Sequence, residues 1–396
     1  MRAWTVIGRL LLVGGLVWAV PQAALADDEL RFDADVNANG GYSANPYSYT
    51  GSSLDSSYVE IDAKPRIRLI SADSVLSLLG NVDYKHFFRL YPDNEDYNAG
   101  LDYTLKASDR LSAHAKLSYD NSIIGGIEAL TPAADLSQQP QPTTGPDVAL
   151  IGARIRRHSI DGGGDATYVL SQYSTLTASG FYDSVRFSGA YGFTDYDGYG
   201  GGLGYSRRLN EHLKLGLQAS AARYVFMGAL GDAKVYTLQA TGSYTLNSRW
   251  TLTGAGGVSY SDRVVGGKTT DFTGNILLCR VTSRSNFCLN GSQAELPTGT
   301  IGIIATRTAG VSYSYQLTER SKLAFAGNYT NSSTPTFVQA YASGYLTTQV
   351  SFDRTLKERL HFITTARYRK ITGGLANQPD DWGGTVGFDL KLGDSR

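Results

Sequence analysis

Seven times along this chain, two runs of alternating apolar and polar residues are joined by a polar turn of two to five residues. Successive side chains of a β-strand point to opposite faces, so each unit predicts a β-hairpin with one apolar and one polar face. The seven predicted hairpins lie at 66–84, 103–119, 168–182, 205–220, 244–260, 313–329 and 351–368.

Longer connections of uneven length separate these hairpins, at 43–57, 90–96, 122–160, 189–195, 227–231, 263–304, 331–336 and 372–381. Outer-membrane barrels have short periplasmic turns and longer extracellular loops. The sequence therefore predicts an all-β fold, a transmembrane antiparallel up-and-down β-barrel of about 16 strands, within a range of roughly 14 to 18. The connections 122–160 and 263–304 are long enough to plug the pore.

The stretch YVEIDAKPRIRL, residues 58–69, shows the two faces most clearly. Its charged residues occupy alternate positions: Glu60, Asp62, Lys64, Arg66 and Arg68. In a barrel the apolar face meets lipid and the charged face meets water in the lumen. Pro65 has no backbone N–H, so it predicts a bulge or a locally unpaired position.

The first 26 residues have the organisation of a secretory signal peptide. Arg2 and Arg9 form a basic region, residues 10–20 form an apolar core, and residues 24–26 (ALA) form a small-x-small cleavage site. An uncleaved anchor is less favoured, because a spanning helix takes about 20 residues. We expect cleavage after Ala26, a single barrel domain over 27–396, and a location in the outer membrane of a Gram-negative cell.

The composition argues against nucleic-acid binding and against membrane helices. Loss of Arg2 and Arg9 leaves 34 basic against 36 acidic residues, a formal charge of −2. Beyond residue 26 no segment approaches the length of apolar sequence that indicates a transmembrane helix. The 26 tyrosines outnumber the 14 phenylalanines. Tyrosine has an apolar body and a polar tip, so this balance favours a membrane–water interface.

The charges on the predicted inward faces are concentrated near the closure of the barrel, and the other strands present mostly Ser, Thr, Gln and Gly to the lumen. The predicted pore-lining residues are Glu60, Asp62, Lys64, Arg66, Arg68, Asp83, Lys85, Asp102, Lys116, Arg359, His361, Arg367, Arg369, Tyr341 and Tyr345. They favour a pore for a polar solute such as an anion, with the two tyrosines offering ring faces to sugars. The alternative is that these charges pair across strands and brace a wall that conducts nothing specific.

Cys279 and Cys288 are the only cysteines, in a polar segment. In an oxidising compartment such a pair predicts a short-loop disulfide. A metal or redox site would need more ligands or a C-x-x-C spacing, so we predict no metal site and no cofactor.

Catalysis is the class of function to weigh against transport. Ser112 and His114 lie on one predicted inward face, and Asp102 on the preceding strand could orient the imidazole. Serine and histidine are ordinary residues in a water-filled lumen, so we predict that the protein is not an enzyme.

Three hairpin units resemble those of porin-like outer-membrane barrels of proteobacteria that are associated with exopolysaccharide gene clusters. They are YVLSQYSTLTASGFY (168–182), YSRRLNEHLKLGLQAS (205–220) and SYQLTERSKLAFAGNY (314–329), with a similar Tyr-x-Leu cadence. The resemblance implies polysaccharide secretion together with periplasmic and inner-membrane components. It assigns no binding residue, because the cadence contains no residue-level motif.

The sequence thus leaves three functions. The main prediction is a channel for passage or export of a polar polymer such as exopolysaccharide. The alternatives are a general or solute-uptake porin, and a structural or adhesive surface barrel in which the loops matter and the lumen can be blocked. In each case the expected partners are outer-membrane lipid, lipopolysaccharide and the barrel-assembly machinery, without nucleic acid.

Overall fold

The structure is a computed structural model. It describes residues 29–49, 51–125, 154–188, 192–228, 231–263, 267–300, 302–332, 344–372 and 379–393. These residues form eighteen strands: β1 (Glu29–Ser43), β2 (Ser56–Ile70), β3 (Ser74–Phe87), β4 (Asn94–Lys106), β5 (Leu111–Ile124), β6 (Ile155–Ser171), β7 (Ser174–Ser188), β8 (Tyr196–Arg208), β9 (Leu213–Phe226), β10 (Gly231–Asn247), β11 (Trp250–Arg263), β12 (Gly267–Val281), β13 (Ser285–Thr298), β14 (Gly302–Thr318), β15 (Ser321–Ser332), β16 (Gly344–Lys357), β17 (Leu360–Thr372) and β18 (Asp381–Gly393).

Every strand pairs antiparallel with its sequence neighbours, and the sheet closes on itself. The closing pair joins β1 to β18, from Asp33 opposite Gly393 to Ser43 opposite Gly383. Closure gives every strand a partner on both sides, as a sheet in lipid requires, although residues 267–273 of β12 are unpaired on the β13 side. The described residues contain no helix long and apolar enough to cross a membrane. The closed antiparallel pairing confirms the predicted all-β, up-and-down transmembrane barrel.

The barrel has two more strands than the 16 expected, because the segment 263–304 is not a loop. Most of it is the hairpin β12–β13, joined by the turn at 282–284. Cys279 and Cys288 lie directly opposite each other on these strands and form the predicted disulfide, with Cα atoms 4.2 Å apart. The prediction that 263–304 is an external loop was wrong, since the bridge lies in the barrel wall beside a short turn.

Pro65 shows how a proline is accommodated in a closed sheet. The β2–β3 register is the same on both sides of it, from Ala63 opposite Val82 to Arg66 opposite Leu79, but residues 64 and 65 make no pair with β3. The site is a locally unpaired position, one of the two predicted outcomes, and contains no bulge. Gly80 supplies the space, because a Cβ there would lie 2.9 Å from the proline ring.

The outer surface carries an apolar belt. Outward residues in mid-strand are largely exposed, such as Leu203 at 60%, Leu217 at 60% and Phe272 at 62%. Exposed aromatic residues lie toward both ends of the strands: Tyr168, Tyr205 and Tyr244 at one end, and Tyr182, Tyr199, Tyr236, Tyr260 and Trp382 at the other. Such rings mark the two membrane–water interfaces of a transmembrane barrel.

The two ends of the barrel differ in their connections. We call the end with short turns, such as 71–73, 248–249 and 358–359, the turn end, and the opposite end the loop end. Most of segment 122–160, the other predicted plug, is at 126–153, outside the described residues. Residues 155–160 belong to strand β6, so that part of the predicted loop was also wrong.

Candidate functional site: the lumen and two inward-folded segments

Most predicted pore-lining residues have inward positions in the register. On β2, β3, β4, β5, β16 and β17 these are Glu60, Asp62, Lys64, Arg66, Arg68, Asp83, Lys85, Asp102, Lys116, Tyr345, His361, Arg367 and Arg369. Arg359 is different: it lies in the exposed turn between β16 and β17, so its assignment to the inner wall was wrong. Tyr341 lies outside the described residues.

Several of these charges pair across the wall. Lys85 Nζ lies 3.2 Å from Glu60 Oε1. Arg68 Nη2 donates to Asp33 Oδ1 at 2.9 Å, and Lys64 contacts Asp62. The charges therefore brace the wall, as the alternative interpretation expects. Because several remain open to water, bracing does not exclude contact with a solute.

The charged side chains of the lumen differ in exposure between its two halves. Toward the turn end, Lys64 and Arg66 have side chains that are 54% and 48% exposed. Toward the loop end, Lys85 and Arg369 are only 2% and 4% exposed. The turn-end half is thus a solvent-accessible vestibule lined by charges, whereas Lys85 and Arg369 in the loop-end half are covered.

One covering element is the segment 44–49, which follows β1 and folds inward. Asp381 on β18 accepts hydrogen bonds from Ser43 Oγ at 2.6 Å and from the backbone N of Asn45 at 2.9 Å. Arg369 donates from Nη2 to the carbonyl oxygens of Asn45 at 3.0 Å and Pro46 at 3.2 Å. A buried ion pair from the last two strands therefore holds the segment by its backbone.

The tip of this segment is Tyr47, which is 1% exposed. Its ring packs against Phe87 and Tyr91, with centroids 6.0 and 5.2 Å away, and the Arg154 guanidinium lies over it at 5.4 Å. Burial raises the pKa of Tyr91 to about 12, and burial also raises the pKa of Tyr47. Both phenols are neutral at physiological pH, and Tyr91 Oη donates to the carbonyl oxygen of Leu54 at 2.7 Å.

The second covering element is the β13–β14 tip, residues 295–304 without 301. Ile303, 3% exposed, packs in a cluster with Val185, Tyr196, Tyr224, Phe226, Ala233 and Val235 of β7 to β10. Along the wall, β14 is four strands from β10. Side chains that far apart can touch only if the tip crosses the lumen. The tip therefore narrows the loop end of the barrel.

Two polar contacts fix the position of this tip. The backbone N of Thr194, next to β8, donates to the carbonyl oxygen of Gly299 at 2.6 Å. At the other edge Glu295 accepts hydrogen bonds at 3.0 Å from both Ser259 and Ser261 of β11, and it contacts Arg263. A buried carboxylate with these donors has its charge compensated, which the burial of a charged group requires.

The functional residues that sequence reasoning missed are Tyr47, Glu295 and Ile303, because all three fell in segments predicted to be loops. A signal was present for the hairpin that carries Glu295: residues 282–284 form an eighth short polar turn between two runs of strand-forming residues. A second signal was the apolar run at 302–305 (GIIA), which is unusual for an exposed loop.

The candidate catalytic group is only partly assembled. His114 Nε2 lies 2.9 Å from Asp102 Oδ2, and its Nδ1 lies 3.6 Å from Asp165 Oδ1. Within the described part of the chain, no hydrogen bond joins Ser112 to His114. Both imidazole nitrogens thus face carboxylates, so the nucleophile lacks an available base. Among the same residues, no group of three or more His, Cys, Asp or Glu could hold a metal ion.

Comparison with known proteins shows the fold. No family model matches the chain, and no curated protein matches it. Among solved structures, OpdL from Pseudomonas aeruginosa is 10% identical with a TM-score of 0.50, over 93% of this chain and 100% of that chain. At this identity the likeness to OpdL shows a shared barrel fold and nothing finer.

Two further solved barrels from Pseudomonas aeruginosa have slightly lower scores. OccK7 (OpdD) is 11% identical with a TM-score of 0.49, over 93% of this chain and 100% of that chain. The outer membrane protein OpdK is 12% identical with a TM-score of 0.46, over 91% of this chain and 99% of that chain.

Proposed function

We propose that this protein is an outer-membrane channel through which small polar solutes diffuse, after removal of residues 1–26. The observation that carries the proposal is the turn-end vestibule, where Lys64, Arg66 and Arg68 of β2 are open to water inside a closed barrel with an apolar outer belt. Charged inner walls of this kind set the ion preference of a pore, because they act at short range on whatever passes.

The narrowed loop end favours small solutes over a polymer. Eighteen strands alone would enclose an aqueous channel. Here the segment 44–49 and the β13–β14 tip occupy part of that width. An exported polysaccharide would need both segments displaced, and no observation on the described residues supports that. The solute-uptake alternative therefore accounts for the lumen better than the predicted polymer export.

Single-channel conductance of the refolded protein in a planar bilayer tests the proposal. We expect open channels in the wild type, and in R66E/R68E a shift of ion preference toward cations, because the change reverses two exposed charges in the vestibule. The matched control is R207E/R280E, which makes the same charge change on outward residues at the same end. An ion preference that moves equally in both variants would contradict a role of the inner wall.

Permeation of liposomes distinguishes small solutes from polymers. We expect vesicles containing the protein to swell with monosaccharides and amino acids, and to retain an encapsulated dextran. Release of the dextran by the wild type, without any partner protein, would favour the duct that the sequence predicted.

A further inference from the structure

A row of outward charges crosses four consecutive strands near the loop end. Arg223 on β9 lies opposite Lys234 on β10. Lys234 in turn lies opposite Asp262 on β11, which lies opposite Lys268 on β12. The alternation of each strand places these side chains on the outer surface, because Leu217, Leu238 and Phe272 share their parity and are exposed. We call Arg223, Lys234 and Lys268 the rim cations.

The rim cations lie directly above the aromatic belt. Tyr236 and Tyr260 occupy the outward positions two residues closer to mid-strand, and their rings lie 6.4 Å apart. The next outward residues are Leu238 and Val258, which are exposed. Aromatic rings of a barrel sit at the level where hydrocarbon meets headgroups. The rim cations therefore lie at headgroup height.

The residues on the inner face of the same strands also place the rim cations at headgroup height. Beside outward Lys234, the inward neighbours Ala233 and Val235 are buried, and beside outward Arg223 the inward Tyr224 is buried. Lower in the wall the polarity is the opposite, with apolar residues outside and polar residues inside. The strands thus leave the hydrocarbon just below the rim cations.

The row has three cations and two carboxylates, with Asp262 between the two lysines and Asp232 beside Arg223, so one positive charge is in excess. Arg223 Nε donates to Asp232 Oδ2 at 3.0 Å. Lys234 and Lys268 are exposed, and within the described ranges neither has a hydrogen-bond or ion-pair partner. Like charges directly opposite each other on neighbouring strands, as Arg223 and Lys234 are, destabilise a sheet. Asp232 offsets part of that cost at Arg223, and an external anion beside Lys234 would offset the rest.

We propose that the rim cations bind the phosphate groups of the outer-leaflet glycolipid, a lipid whose acylated diglucosamine carries two phosphate monoesters. Neighbouring strands are about 4.8 Å apart, so Lys234 and Lys268 are separated by about 10 Å. That spacing lets them contact separate phosphates, with acyl chains lying on Leu238 and Val258. The inference rests on the proposed membrane location and is independent of conduction.

Binding of the glycolipid to the folded protein in phospholipid nanodiscs tests this. The variant R223Q/K234Q/K268Q removes the three rim cations. The control R207Q/R280Q/R354Q removes three outward arginines at the turn end, on the separated strands β8, β12 and β16. Bound lipid is counted by native mass spectrometry over a titration with bisphosphorylated or fully dephosphorylated glycolipid. Heat-modifiable gel mobility shows whether each variant is folded. If the triple variant does not fold, K234Q alone is used in its place.

The expected result is that wild type binds the bisphosphorylated lipid and not the dephosphorylated one. Each rim cation contributes roughly fivefold, so K234Q weakens binding about fivefold and the triple variant on the order of a hundredfold. The control variant retains wild-type affinity, and the conductance of all variants is unchanged. The proposal is overturned if the rim variant binds as wild type, if both lipids bind equally, or if the control loses as much affinity. If wild type shows no conductance, the proposed channel is contradicted, but the result on lipid binding still stands.

Discussion

The two segments that narrow the lumen, 44–49 and the β13–β14 tip, occupy the same end of the barrel but are held by different forces. The first is held by its backbone, through the buried charges of Asp381 and Arg369. The second is held by the packing of Ile303 on the opposite wall and by Glu295 at its base. The first is therefore a fixture of the closing strands, whereas displacing the second separates Glu295 from Arg263, which keeps Asp271 as a partner in the wall.

The largest effect is expected from D381N, which removes the negative charge that pairs with Arg369 beside segment 44–49. Breaking a buried ion pair by removing one partner costs about 3–5 kcal/mol, because Arg369 keeps its charge. The free energy of unfolding in urea should fall. The single-channel conductance should rise, because segment 44–49 would no longer be held in the lumen. The matched control is D380N at the neighbouring exposed residue, whose carboxylate accepts from Tyr368. A wild-type unfolding free energy in D381N would show that the pair does not fix the segment.

The second effect concerns the β13–β14 tip. I303A should cost about 2–4 kcal/mol from lost burial, and it should raise conductance because the tip loses its contact with β7 to β10. I276A is the control, since Ile276 is outward and 54% exposed. Conductance that stays at the wild-type value in I303A, with the protein folded, would mean that the tip does not limit ion flow.

A third prediction asks whether instability alone opens the pore. The double variant C279S/C288S should lose about 2 kcal/mol of stability, as expected for a short disulfide loop. Its conductance should not change, because the bridge lies near the turn 282–284, at the opposite end from both segments. The measurement is again urea unfolding beside single-channel recording. A rise in conductance here would show that the pore opens with any loss of stability, and the comparison of the two segments would lose its basis.

The sequence predicted the barrel because alternation and short turns are local properties. It missed the hairpin β12–β13 because Ile276, Leu277 and Leu278 are three consecutive apolar residues, and inward Leu277 breaks the alternation. The charged inner wall could be predicted for the same local reason. Its division into an open and a covered half could not, because that depends on contacts such as Arg369 with Asn45, 324 positions apart.

Inward apolar residues mark the part of the wall that receives the tip. On β7, inward Val185 and Phe187 are buried or half-buried while outward Arg186 pairs with Asp197. This polarity is the reverse of that in the membrane belt, where the outward residues are the apolar ones. It is visible in the sequence, because the apolar residues here occupy the alternate positions that face the lumen. Such a reversal predicts where an inward-folded segment docks, even when the segment itself cannot be predicted.

The smallest effect is expected on that docking wall, at the glycines of β8. A Cβ at Gly198 would lie 2.7 Å from the ring of Tyr224, a member of the Ile303 cluster, whereas at Gly204 the nearest atom is 3.9 Å away. Because overpacking displaces neighbouring side chains, G198A should lower the free energy of unfolding by about 1–2 kcal/mol. It should also weaken the packing of the tip against Tyr224. G204A lies on the same inward row and should change stability by less than about 0.5 kcal/mol. Urea unfolding of the pair measures the difference directly. If both variants behave alike, Tyr224 is free to move, and the tip is held by Glu295 and its serines instead of by the opposite wall.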